Sequence, residues 1–127
     1  MGTETIRVAA TGGTPGADAN TYKMFDSTVT FTGGSLRSHD ISRINFTIQN
    51  NQTGTLNAYW SANRGVTWNQ YDSRAVPIPG AGLSNGPYSY LVDTYEDWKL
   101  DWVNGGSAQT VWRPDIIMIR NDRASGV

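Results

Sequence analysis

Apolar residues recur at every second position in short runs along this chain: Ile44, Phe46 and Ile48; Leu56, Ala58 and Trp60; Tyr88, Tyr90 and Val92; Trp98, Leu100 and Trp102. A period of two sends alternate side chains to opposite faces of an extended strand, one toward a core and one toward water. Val29 and Phe31 repeat the pattern, and Ile116 to Ile119 forms a continuous apolar run that completes the core. No window of eleven residues carries a helical stripe, and only Thr94 to Asp97 suggests a single turn. With turn-forming residues between the runs, the pattern predicts eight or nine strands in an antiparallel β-sandwich of jelly-roll-like topology.

The punctuation refines that expectation. Asn50-Asn51-Gln52-Thr53-Gly54 predicts a hairpin between the strands on either side. A second hairpin is expected at Asn63-Arg64-Gly65, leading into a strand that begins with Val66 and Trp68. Asn104-Gly105 is a further turn signal before a strand from Ala108 to Trp112. Pro77 to Pro87 cannot be a central strand, because proline lacks a ladder donor, and reads as a long surface loop. Residues 1 to 25, small and turn-rich after Ile6 and Val8, read as an extended N-terminal arm or long loop with one short strand; residues 26 to 127 read as the sandwich domain.

A length of 127 residues suits one domain. Ten basic against eleven acidic residues leave a formal charge of −1, which removes the field that would recruit nucleic acid or an anionic membrane. No dense Lys/Arg stripe accompanies the aromatics, so single-stranded nucleic acid is not an expected partner. Met1 to Ala10 lacks the apolar run of a signal peptide, and Ile6 stands where a myristoylation signal needs Ser or Thr. No segment has the roughly 18 apolar residues of a bilayer span. With no Cys, stability rests on burial, pairing or neighbouring subunits.

The chemistry-bearing residues are sparse. His39, beside Ser38 and Asp40, has the letters of a triad, yet adjacent loop residues cannot supply its geometry. Asp93, Glu96, Asp97 and Asp101 raise calcium or paired-carboxylate hydrolysis, but their spacing fits no calcium loop and solvated charge accounts for them. The Gly-Gly pairs at 12, 33 and 105 open no helix and precede no Lys-Ser/Thr, so they are turns rather than phosphate cradles. The residues imply no metal, no cofactor and no enzyme.

Ser61-Ala62-Asn63-Arg64-Gly65-Val66-Thr67-Trp68 resembles the Asp-box of sialidases and other β-propeller proteins, with Asn63 in place of the Asp. In that family the box is structural and lies away from the catalytic centre. The resemblance therefore implies hairpin-shaping roles for Ser61, Asn63, Gly65, Thr67 and Trp68, and no sialidase activity.

The ordered pattern Ala58-Tyr59-Trp60-Ser61, Trp68 to Tyr71, Tyr95 to Gly106 and Gln109 to Trp112 resembles small β-sandwich virion proteins of tailed bacteriophages over residues 41 to 123. That resemblance implies a non-enzymatic capsid decoration or cement protein, or another head or tail accessory subunit. Such a protein would be made in the host cytoplasm, located in the virion, and partnered by capsid or other virion subunits, with homo-oligomerisation expected. Ile6 and Val8 are the candidate docking residues, able to add a strand to a neighbour's sheet edge. The alternative is a carbohydrate-binding module, with Tyr95, Trp112 and the Pro77 to Pro87 loop as the sugar-stacking surface and Trp60, Trp98 and Trp102 left to the core.

Overall fold

The computed structural model describes residues 3–30, 41–92 and 97–121. Eight strands run in the order β1 (Thr3–Val8), β2 (Thr21–Asp26), β3 (Ile41–Asn50), β4 (Gly54–Ser61), β5 (Asn69–Val76), β6 (Asn85–Leu91), β7 (Asp97–Asn104) and β8 (Trp112–Asn121), with one helical turn, α1 (Ser27–Thr30), after β2. They form two four-stranded antiparallel sheets, ordered β1-β8-β3-β6 and β2-β7-β4-β5. The protein is an all-β sandwich with jelly-roll strand order. Its pairs nest, β4 with β5, β3 with β6, β2 with β7 and β1 with β8, as if one long hairpin had been rolled up.

Alternation sets the inner faces. Ile44, Phe46 and Ile48 from β3 and Ile116 and Met118 from β8 meet Leu56, Leu100, Trp98 and Trp102 from the opposite sheet, each no more than 2% exposed. Phe25 stacks on Trp98 with ring centroids 4.7 Å apart. Trp60 is only half-buried. The segment up to residue 25 contributes β1 to one sheet and all but the last residue of β2 to the other.

Several local expectations change. Asn50 to Gly54 does not close a hairpin, because β3 and β4 lie in different sheets; the same holds for Asn104-Gly105, since β7 and β8 are also in different sheets. Of the expected hairpins only the one at Asn63-Arg64-Gly65 joins paired neighbours, and its second strand starts at Asn69, leaving Val66 exposed at the tip. Val29 lies in α1 rather than in a strand; Asp26 Oδ1 accepts from the Thr28 N–H and hydroxyl at 3.0 and 2.6 Å, a cap that starts a helical turn. Phe31 and the His39 cluster lie outside the described residues. Pro87 does enter a strand, β6, at a sheet edge where a missing ladder donor is tolerated.

The bases of the crossings are held by carboxamides. Asn104, 2% exposed, places Nδ2 within 3.0 Å of the carbonyls of Gly16, Asp18 and Ser107, while its Oδ1 accepts from Trp102 Nε1 and Gln109 Nε2. Gln109 Oε1 in turn accepts from the N–H groups of Asn51 and Gln52, and Asn51 Oδ1 from those of Thr110 and Val111. Asn50 and Asn85 both donate to the Pro77 carbonyl. These side chains satisfy backbone groups that a loop turning between layers would otherwise leave orphaned.

Gly54 starts β4 directly against the Trp102 ring, where a β-carbon has no room. Gly54→Ala is expected to lower stability by about 1–3 kcal/mol, the range for overpacking a filled interior. A fall in the urea midpoint at unchanged slope checks it.

Candidate functional site

Three surfaces bring together the residues of interest: the tip of the β4–β5 hairpin, the outer face of the sheet β2-β7-β4-β5, and the loop end with the sheet edges.

At the tip, Ser61 Oγ accepts from the N–H groups of Asn63 and Gly65, at 3.2 and 2.9 Å, and donates to Asn63 Oδ1. Asn63 Oδ1 also accepts from the Thr67 N–H at 2.9 Å, and its Nδ2 donates to the Thr67 hydroxyl. The amide at this position thus both accepts and donates, where a carboxylate could only accept. Arg64 and Gly65 have φ of 60° and 81°, the left-handed pair that closes the turn. That backbone aims the Arg64 guanidinium at Asp97, whose two oxygens lie 3.0 and 2.9 Å from Nη1. Asp97 is fully buried and also accepts from the Ser27 hydroxyl at 2.7 Å. Arg64 occupies an unspecified position of the octapeptide pattern, so the motif carried no signal for it.

On the outer face of the same sheet, the Lys99 ammonium sits 4.9 Å from the Tyr59 ring centroid and 5.0 Å from that of Trp68. The aromatic faces there hold a cation of the chain itself. Asp101, 7% exposed, lies 3.8 Å from Lys99 Nζ, and its buried Oδ1 has no hydrogen-bond partner among the described residues. Burial pushes the Asp101 carboxyl above the usual range against the opposing pull of Lys99 and Lys23, with Asp26 adding to the rise. Asp26 moves the other way: burial is outweighed by the Thr28 hydroxyl and by Lys23, at 3.2 Å, and its carboxyl is lowered. Asp97 and Asp101 therefore have separate partners, and Asp93, Tyr95 and Glu96 lie outside the described residues.

At the loop end, Ile78 to Leu83 forms one wall of an open groove of about 420 Å³ shared with Gln49, Asn51 and Val111. Ile78 and Leu83 are 54% and 62% exposed. Trp112 packs edge-on against Trp102, centroids 5.0 Å apart, and its remaining surface lines a shallow depression with Thr11, Thr14, Arg113 and Pro114. Groove and depression flank Val111-Trp112 as separate features.

Ile6 and Val8 are half-buried against the core, paired with Met118 and Ile116 of their own sheet. The edges differ in regularity. β2 carries a register shift at Met24, β5 has one that leaves Tyr71 as the extra residue, and β6 has one at Gly86-Pro87. β1 runs in unbroken register from Thr3 to Val8, and among the described strands none pairs with its outer side.

Arg64→Ala removes the guanidinium from a buried carboxylate and is expected to destabilise by about 1–3 kcal/mol, with part recovered when Asp97→Asn is added; a double-mutant cycle in thermal denaturation reads the coupling. For Asp101 the sign runs opposite to an ordinary ion pair. Because folding raises its proton affinity, the ionised form opposes folding, and that penalty is relieved as pH falls into the carboxylate range. Asp101→Asn should therefore be more stable than the parent at neutral pH, with the gap narrowing on acidification. Asp26 contributes in the reverse sense, its stabilisation being lost as pH falls through its lowered folded value.

No protein-family model matches the chain, and no curated protein matches it. Among solved structures, the PBSX exported protein XepA superposes with a TM-score of 0.67 at 14% identity, over 94% of this chain and 38% of that one. A Bacillus endospore appendage protein gives 0.49 at 16% identity over 93% and 82%, and the Tobacco streak virus coat protein 0.41 at 11% over 99% and 94%; these two looser superpositions carry no argument. The chain thus spans well under half the length of XepA, and what it shares with that protein is the fold.

Proposed function

We propose that this chain is a non-enzymatic structural subunit of a tailed-phage particle, a capsid decoration or cement protein or another head or tail accessory, held in place by neighbouring subunits. The observation that carries the reading is the contrast among sheet edges: β1 is regular, without bulge or proline, and presents half-buried Ile6 and Val8 beside an outer side with which no described strand pairs. An edge of that kind accepts an extended segment from a neighbour through main-chain hydrogen bonds, with alternate side chains giving register. The direction differs from a free arm reaching outward, since β1 lies in its own sheet and receives the partner strand there. The braced loop end adds rigidity, so Ile78 and Leu83 are offered to a neighbour at little ordering cost. The fold relative XepA is described as a PBSX exported protein.

Particles released by the host that encodes this chain are expected to carry it through a density gradient. In those particles, amide exchange over Thr3 to Val8 should slow relative to the free chain. A chain left at the top of the gradient overturns the particle reading; a bound chain whose Thr3 to Val8 amides exchange as fast as in free solution overturns the role of β1.

A further inference from the structure

Strand β5, an edge of the other sheet, carries charges on its inward side. Asp72 and Arg74 pair with Ala58 and Leu56 of β4, residues of the inner face, so both project toward the gap between the sheets at its open side. There Asp72 Oδ2 accepts from the Tyr90 hydroxyl at 2.8 Å and lies 3.3 Å from Arg74 Nε, while the guanidinium covers the Tyr88 ring at 5.1 Å. Both groups keep access to solvent, Arg74 at 51% and Asp72 at 25%. Inward charges on an edge strand oppose pairing with an unrelated strand, because a foreign neighbour would desolvate them without compensation.

Their order makes one strand an exception. In Asp72-Ser73-Arg74 the opposite charges stand symmetrically about Ser73. An antiparallel copy centred on Ser73 sets Asp72 opposite Arg74 of the copy and Arg74 opposite its Asp72. From Asp72 to Arg74 it keeps inner-face residues facing inner-face residues and joins the two sheets; the bulge at Tyr71 turns Gln70 to the outer face and ends the junction there. Cross-strand pairs of opposite charge stabilise such a junction, and like charges directly opposite destabilise it. The contact is isologous, as a two-fold dimer requires.

We infer that β5 is a self-selective edge: it pairs antiparallel with β5 of a second copy of this chain about a two-fold axis at Ser73, and the Asp72–Arg74 pattern rejects other strands. Where β1 is permissive, β5 is selective, and the selectivity comes from a repulsive element as much as an attractive one.

Sedimentation velocity of the full chain over a concentration series tests this apart from any particle. The parent is expected to dimerise. Arg74→Asp and Asp72→Arg should each weaken the dimer by at least about tenfold, since each sets like charges opposite each other twice. A mixture of the two single variants should restore association, because each supplies the charge the other needs; so should the double swap Asp72→Arg with Arg74→Asp. The mixing arm uses only chains shown by circular dichroism to be folded. A parent that stays monomeric, a dimer indifferent to both reversals, or singles that fail to associate when mixed would each overturn the inference. Any of these outcomes leaves the gradient experiment on particles unaffected.

Discussion

The carboxamide of Asn104 is the point at which two loops of this sandwich meet. Its amide group reaches carbonyls from the segment between β1 and β2 and from the turn after β7, and its oxygen holds the indole of Trp102 and the side chain of Gln109. Gln109 passes the connection on to the β3–β4 crossing, and Asn50 and Asn85 extend it to the start of the Pro77 loop. A jelly roll changes sheets at nearly every connection, so its loops lose the ladder partners that a hairpin supplies. Buried side-chain amides, each both donor and acceptor, are the available replacement in a chain without cysteine to staple it.

The other end is closed by charge. Arg64 reaches from the hairpin tip to a carboxylate with no exposed surface, and Ser27 approaches that carboxylate from α1. Only the carboxylate of this pair is buried, and removing the half-exposed guanidinium would leave that charge with the Ser27 hydroxyl alone. The pair fixes the tip to the start of β7. Trp68, at the end of the same octapeptide, covers Lys99 together with Tyr59, so tip and sheet face form one polar surface.

Much of this was legible in the residues. Period-two alternation identified the inner faces of β3, β4 and β7, because one buried face per strand leaves few other readings, while β8 was legible only as a continuous apolar run. The proline-rich stretch was excluded from a central strand for the right physical reason, and its last residues proved to open an edge strand. The turn signals misled where Asn precedes Gly or follows a strand. The same letters serve a tight hairpin and a carboxamide that ties a crossing loop, and only the sheet of the next strand tells them apart. Thr28-Val29-Thr30 looks β-prone, yet Asp26 caps its backbone first. Arg64 and Asp97 are 33 residues apart, and no local pattern links them. The acidic residues were grouped by proximity in sequence, whereas strand geometry gave Asp97 and Asp101 different surroundings.

The nesting of strand pairs has a kinetic side. The innermost pair, β4 with β5, joins residues separated by a short turn, while the outermost sets Thr3 opposite Asn121. Loop-closure entropy grows with the span enclosed, and chains rich in such distant pairings fold slowly. Assembly of this protein can thus begin as a local zipper at the Asp-box-like tip and finish only when β1 meets β8. Until then the flank of β8 that β1 will cover is bare, and the same ladder can be completed by β1 of another nascent chain, so concentration during synthesis decides between self-closure and exchange.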